Sequence, residues 1–338
     1  MSIKKTLLKS WSKPNVLTTV LKPISRLYDG VFSVRKRAYN KGLLKSYRAP
    51  LPVIVIGNLT VGGTGKTPLV IHLVQQLESL GLNPGVISRG YSGEADSYPL
   101  EVTASTPVEQ SGDEPALIVK RTSAPMAVGP NRQDSIELLI ERHSIDIIVS
   151  DDGLQHLALE RDVEVCLLDD TVELENENLL PAGPYREPLS RLMTVDFIVR
   201  HGGVVGNAEN QFSMHLEPRP PVALLASKTK VFPKSETIEA VAGIGQPQRF
   251  FDTCRSMNLT INEHSFADHY QFTRDDLEFG GRTVLMTEKD AVKCSSFATG
   301  NHWFLPVDAV LTEGFAESIA KTAQHNFKLN RASLIHGN

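Results

Sequence analysis

The 338-residue chain is poor in cysteine and has no long apolar run. Its three cysteines, Cys166, Cys254 and Cys294, stand far apart with no CxxC pair. That excludes a disulfide framework, argues against a zinc site and suits a reducing compartment. No apolar stretch approaches the ~18 residues of a membrane-crossing helix. The longest runs, such as Val53-Ile54-Val55-Ile56, are strand-sized. Lysines at 4, 5 and 9 are not followed by a continuous apolar segment, so a cleaved signal peptide is not expected. Internal repeats and low-complexity segments are also missing. The composition, 41% hydrophobic and 22% charged, is that of a globular protein with one large or two modest domains.

The formal net charge of −4 hides an asymmetry. Residues 1–48 carry 12 Lys+Arg against one Asp, whereas the remainder carries 23 basic and 38 acidic residues. A basic arm before an acidic body is suited to an anionic partner, either a phospholipid surface or nucleic acid. Within the arm, Ile24, Leu27, Tyr28, Val31 and Phe32 recur with a helical period, which predicts a helix over 24–39. A shorter piece places Leu7, Leu8 and Trp11 among Lys4, Lys5, Lys9 and Lys13, with Pro14 and Pro23 dividing the two. Such an amphipathic arm suits a membrane interface; the alternative is that its apolar face packs on the body. No recognised nucleic-acid module accompanies it.

Pro52 opens the most informative stretch. A β-branched strand runs into Gly57-Asn58-Leu59-Thr60-Val61-Gly62-Gly63-Thr64-Gly65-Lys66-Thr67, and a helical pattern follows. Strand, Gly-rich loop and helix is the setting in which backbone N–H groups and a helix N-terminus cradle phosphates. Residues 60–67 are the expected nucleotide-binding loop. Lys66 would reach the β/γ-phosphates, and the Thr67 hydroxyl would face Mg²⁺. The strict GxxxxGK[ST] pattern fails at its first position, which is Thr60. A second buried-type strand ends in Asp151-Asp152, ahead of Gly153-Leu154-Gln155-His156. The carboxyl end of a strand is where an α/β sheet places functional groups, and two adjacent carboxylates suit metal or substrate chemistry better than a helix cap. Arg89-Gly90-Tyr91, Gly112-Asp113-Glu114-Pro115 and the proline-rich 181–188 segment are further polar clusters in loop-like settings.

Taken together, these motifs resemble those of the tetraacyldisaccharide 4′-kinases, the lipid A 4′-kinases of Gram-negative bacteria. The resemblance rests on residues 60–68, Ser-Arg-Gly-Tyr at 88–91, Gly-Asp-Glu-Pro at 112–115 and Asp-Asp-Gly-Leu-Gln-His at 151–156. It continues with Gly-Pro-Tyr-Arg-Glu-Pro at 183–188, Asp268-His269-Tyr270 and Thr287-Glu288-Lys289-Asp290. The set runs in order from 60 to 290, and the non-glycine start of the phosphate loop is itself a family trait. The resemblance implies transfer of the ATP γ-phosphoryl group to the 4′-hydroxyl of a tetraacyl glucosamine disaccharide 1-phosphate, making the bis-phosphorylated lipid A precursor. It further implies Asp113 as catalytic base with His269 tuning it, and Lys66 on the phosphates. Thr67, Asp151, Asp152 and Glu187 would surround Mg²⁺, with Arg89, Tyr91, Gln155, His156 and Arg186 toward the substrate. His264 is left as an ordinary polar residue. Two other readings compete: a soluble P-loop kinase of small molecules, and a membrane-associated P-loop ATPase or nucleotide switch without lipid phosphorylation.

The expected fold is α/β, a P-loop NTPase-like, mainly parallel sheet with helices on both faces plus a smaller C-terminal α/β lobe. Strands are expected near 53–57, 84–88, 126–128, 146–150, 163–168 and 196–200. The expected division is 1–48 as the membrane-interface arm, 49–215 as the nucleotide-binding core and 216–338 as the lobe closing over the site, with 331–338 a frayed tail. The expected location is the cytoplasmic face of the bacterial inner membrane, peripheral or monotopic, with no nucleic-acid partner.

Overall fold

A computed structural model describes residue 11 and residues 13–205, 208–225 and 231–336. Lys4, Lys5, Leu7, Leu8 and Lys9 of the arm lie outside the described residues.

The main sheet has nine strands: β1 (Val53–Asn58), β2 (Pro84–Ser88), β3 (Leu100–Val102), β4 (Met126–Val128), β5 (Ile147–Asp151), β6 (Val163–Asp169), β7 (Phe197–His201), β8 (Gln211–Pro218) and, much later, β14 (Val307–Leu311). Their order is β14-β8-β7-β6-β1-β5-β2-β4-β3. Pairing is parallel except at the edges, β14 on β8 and β3 on β4. The central strands are apolar throughout because both faces are covered. Alternate residues of β1 serve different cores. Ile54 and Ile56 pack under α2 (Lys66–Ser79), whereas Val53 and Val55 join the opposite core with Ile136 and Leu139. Two helices follow the short α3 (Val108–Ser111), one on each face of the sheet: α4 (Asp113–Arg121) packs with Ile54 and Ile56, and α5 (Arg132–Arg142) with Val53 and Val55. From β1 the chain crosses to β2, returns to β5 between them, then passes to β6 on the far side. β1 is therefore the switch point, where a crevice opens at the carboxyl ends of the strands.

A second, five-stranded sheet is inserted between β8 and β14, in the order β11-β10-β12-β13-β9. It comprises β9 (Val222–Ala223), β10 (Thr237–Ala242), β11 (Thr260–Ser265), β12 (Val284–Thr287) and β13 (His302–Leu305), with helices α6 (Pro247–Ser256) and α7 (Glu288–Cys294). His264 lies on β11, its Nε2 2.7 Å from buried Glu239 of β10.

Three expectations are corrected. The second unit does not extend from 216 to the C-terminus. β14 returns to the main sheet, and α8 (Phe315–His336) buries Phe315, Ala316, Ile319, Ala320 and Ala323 in the main core. The C-terminal residues 331–336 continue that helix rather than fraying from 331. Finally, Pro23 does not divide the arm, because α1 runs unbroken from Val16 to Asn40. An Asn15–Thr18 capping box starts it, and Pro23 is exposed, so water can serve the carbonyl its ring leaves unbonded.

Candidate active site

The phosphate loop leaves β1 and enters α2 through Gly65, at φ +93°. A side chain is strained in that conformation, and the first turn of α2 receives no side-chain cap. Its N–H groups are therefore available to an anion. Thr60 bridges Tyr185 in antiparallel fashion, and Val61 N–H donates to Pro184 O at 2.9 Å, so the 179–187 loop braces the phosphate loop. Lys66 Nζ donates to Asn58 Oδ1 at 3.0 Å and lies 3.3 Å from Asp152 Oδ1. Asn58 Nδ2 in turn donates to Thr64 Oγ1 at 3.1 Å. Thr67 follows on the first turn, half-buried.

The two adjacent aspartates differ. Asp152 turns into the left-handed region (φ +48°) and receives Arg186 Nη1 at 3.0 and 3.1 Å. Burial opposes its charge, but Lys66 and Arg186 outweigh it and hold its pKa below the ordinary value. Asp151, the last residue of β5, is 1% exposed, and its Oδ1 has no hydrogen-bond partner. Burial first, then Glu114 and Asp152, push its pKa up to about 7. Glu187 is also buried, but both its oxygens are engaged: Gln155 Nε2 donates to Oε1 at 2.8 Å and Arg191 Nε to Oε2 at 3.2 Å. Asp152 and Glu187 are thus held by partners within the chain, and Asp151 keeps an unpartnered oxygen. Among the described residues no cluster of three His, Cys, Asp or Glu has metal-holding geometry. Glu187 instead positions Gln155, which also donates to Asn58 O at 3.2 Å.

Across the crevice, His269 Nδ1 lies 3.0 Å from Asp113 Oδ2, although 156 residues separate them. Asp113 opens α4 and is 3% exposed. Gly112 before it has φ +89°, and a Cβ there would fall 2.5 Å from Tyr91 O, so the 88–93 loop sits directly on the Gly-Asp-Glu-Pro turn. Tyr91 packs its ring on His269, centroids 5.2 Å apart. His269 is itself left-handed (φ +59°), the kind of strained backbone that accumulates at functional sites. Burial works against the Asp113 charge, but the His269 hydrogen bond and the Lys289 charge prevail and lower its pKa. The hydrogen bond to Asp113 raises the His269 pKa against burial and Lys289.

The inserted lobe reaches the phosphate loop as well. A Cβ on Gly245 would lie 3.4 Å from Asp268 Oδ2 and 3.7 Å from Gly63 N. Lys289 of α7 bonds Glu114 at 3.0 Å and stands 3.8 Å from Asp113. Asp113 and Lys66 thus belong to the main sheet and His269 to the insertion, with the crevice between them.

Arg89 is exposed at the carboxyl end of β2, and His156 is half-buried. His156 is held down to about 4 by burial and then by Arg132, Arg161, Arg35 and Arg89. Sequence reasoning missed Asn58, Arg132 and Lys289 as site residues. Asn58 and Arg132 carried a usable signal, since each ends or follows a strand whose carboxyl end points at the site.

A family model described as tetraacyldisaccharide-1-P 4′-kinase matches residues 17–324. The tetraacyldisaccharide 4′-kinase of Vibrio cholerae serotype O1 (El Tor Inaba N16961) is 47% identical over 298 residues, covering 87% of this chain and 88% of that protein. The Vibrio campbellii enzyme of the same name is 44% identical over 308 residues, covering 90% and 91%. A crystal structure of LpxK from Aquifex aeolicus in complex with ATP superposes with a TM-score of 0.77 at 29% identity, covering 92% of this chain and all of that one.

Proposed function

The chain belongs to the tetraacyldisaccharide 4′-kinase family, and from that premise we propose how its residues divide the work. The enzyme is a phosphotransferase that uses ATP to phosphorylate a lipid A precursor. That sets aside the ATPase or nucleotide-switch reading.

Phosphoryl transfer needs positioning and charge stabilisation more than covalent chemistry. The loop 60–67 holds the phosphates, and Lys66 exchanges Asn58 and Asp152 for phosphate oxygens. Mg²⁺, when bound, offsets charge on the β- and γ-phosphates. Asp151 fits such an ion because its buried Oδ1 has no partner, and hard oxygens are what Mg²⁺ takes. Thr67 is the neighbouring hydroxyl. Arg186 fixes Asp152, and Gln155 is fixed by Glu187. Asp113 accepts the proton of the 4′-hydroxyl, and His269 orients it and keeps it ionised. Arg89, Tyr91 and His156 line the acceptor's approach.

The observation that carries this reading is the Asp113–His269 pair, formed by two lobes over the same crevice as Lys66. Isothermal titration with Mg·ATP, beside a transfer assay, tests it. Lys66→Ala should lose nucleotide affinity, whereas Asp113→Ala and His269→Ala should bind nucleotide normally and fail in transfer. Loss of nucleotide binding in all three would withdraw the division of roles.

The arm addresses a membrane in this reading. The helix α1 meets the body through buried Ser25, whose hydroxyl donates to Leu179 O at 2.8 Å, and through Tyr28, whose hydroxyl donates to Arg186 O at 3.0 Å. Its apolar stripe, Val16, Val20, Ile24, Leu27, Val31 and Val34, faces outward. A stripe of this kind flanked by Arg and Lys lies at the surface of an anionic bilayer. No helix among the described residues is long and apolar enough to cross a membrane. We place the enzyme peripherally on the cytoplasmic face, where ATP is supplied, and read the basic charge as addressing lipid rather than nucleic acid.

A further inference from the structure

The Thr287-Glu288-Lys289-Asp290 motif has no part in the roles assigned above, yet it is where the insertion grips the helix that carries Asp113. Two of its members act locally. Thr287 caps α7, its Oγ1 accepting from Asp290 N–H at 3.1 Å and donating to Asp290 Oδ2 at 2.7 Å. Asp290 also receives Gly243 N–H at 2.8 Å. The middle two reach across to α4. Glu288 pairs with Arg121 at its end, 2.7 Å away, and Lys289 with Glu114 at its start, 3.0 Å away. Glu114 and Arg121 lie two turns apart on one face of α4, so adjacent residues of α7 hold both ends of that helix.

Lys289 is the member that faces the crevice. Three carboxylates from both lobes surround its ammonium: Glu114 at 3.0 Å, Asp113 at 3.8 Å and Asp268 at 4.0 Å. Carboxylates packed this closely oppose one another's ionisation, and Asp113 is buried besides. The other charges nearby do not fill this place. Lys293 of α7 is paired with Asp290 at 2.6 Å, and His269 lies on Asp113 itself. The 88–93 loop brings Tyr91 and Ser92 to His269, while its Arg89, like Glu109 of α3, is exposed. We infer that Lys289 is a positioning residue for phosphoryl transfer: its ammonium neutralises Glu114 and Asp268, leaving the Asp113 carboxylate free to accept the hydroxyl proton. The inference rests on the kinase reading. Because Lys289 and His269 both belong to the insertion, Asp113 is equipped as a base only where the insertion is docked on α4.

Lys289→Met, which keeps the length and removes the charge, tests this beside Lys289→Arg, which keeps the charge. In pH profiles of kcat/KM for the tetraacyl disaccharide 1-phosphate in neutral micelles, Lys289→Met should move the acidic limb up by roughly 1–2 pH units. KM for Mg·ATP should stay within about twofold, and Lys289→Arg should return the limb toward wild type. Histidine NMR reads the same charge without turnover, so it stands even if the lipid is not phosphorylated. Lys289 pulls the His269 pKa down, whereas Asp113 and Asp268 raise it. His269 should therefore titrate higher in Lys289→Met than in wild type. A lysine that only held the lobes together would give the opposite sign, since an undocked His269 loses its bond to Asp113 and titrates lower. That fall, or an unmoved acidic limb, would overturn the inference. So would a tenfold rise in KM for Mg·ATP with both limbs in place, which would assign Lys289 to the nucleotide. Should Lys289→Met not fold, Lys289→Met with Glu114→Gln removes one of the carboxylates left facing Asp113; its acidic limb should lie above wild type, and a wild-type limb would refute the role.

Discussion

Asp113→Asn keeps the side-chain shape and removes the negative charge beneath His269 Nδ1, 3.0 Å away, and Lys289 Nζ, 3.8 Å away. Removing a general base costs about 10²–10⁴ in rate, or about 2.7–5.5 kcal/mol of transition-state stabilisation. We expect kcat to fall by that range while the affinity for Mg·ATP holds, because the polar partners of Asp113 among the described residues are Glu114 N, His269 and Lys289, outside the phosphate loop. The substitution should also move His269. Its pKa is raised first by the hydrogen bond to Asp113, while burial and Lys289 pull it down. Without the carboxylate, burial and Lys289 are opposed only by the Asp268 charge, so the imidazole pKa should fall. Stability must follow with a defined sign. The lowered Asp113 pKa contributes stability above the unfolded aspartate value, lost as pH falls through the folded one. The raised His269 pKa contributes below the unfolded histidine value, lost as pH rises through the folded one. The gap between wild type and variant is therefore widest between about pH 4 and 6.5 and narrows outside that window. A charged hydrogen bond suggests about 1.5–3 kcal/mol at its widest. Urea melts at several pH values, histidine NMR and the transfer assay measure all three effects. A variant within threefold of wild-type kcat, with a pH-independent stability gap, would refute the reasoning.

Asp151→Asn should abolish the Mg²⁺ dependence of nucleotide affinity in titration calorimetry, since it neutralises the carboxylate with the unpartnered oxygen; an unchanged Mg²⁺ dependence would remove Asp151 from the metal site. Leu27→Glu with Val31→Glu, at positions 69% and 62% exposed, should leave the melting temperature unchanged and weaken partition onto anionic vesicles roughly a hundredfold. Vesicle binding that persists while the protein melts early would mean that the stripe packs on protein. Gly112→Ala forces a Cβ to 2.5 Å from Tyr91 O at φ +89° and should cost about 2–3 kcal/mol in urea melts, with kcat falling as Asp113 shifts; wild-type stability would contradict the packing of the two loops.

The sheet was legible because its strands are continuous apolar runs bounded by Gly, Asp and Pro, and the phosphate loop because its glycines sit between strand and helix. What local pattern could not carry was partnership. Nothing around Asp113 announces His269, and only the family resemblance joined them. The return of β14 and α8 to the main core was equally hidden, since Phe315 and Ile319 show a helix's period but not the sheet it covers. Pro23 was misread as a boundary because sequence alone does not show that Thr19 and Pro23 are both exposed. The resemblance places Glu187 toward Mg²⁺, and what its motif did not show is that Arg191, four residues on, pairs with one of its oxygens.

The reaction is tested most directly by incubating the protein with γ-labelled ATP, Mg²⁺ and the tetraacyl disaccharide 1-phosphate in micelles. Mass spectrometry then locates the label, with Lys66→Ala run alongside. The predicted result is one labelled phosphate on the 4′ oxygen, absent with Lys66→Ala. ATP consumed without labelled lipid, or label that persists in Lys66→Ala, would contradict the assignment of this crevice to lipid phosphorylation.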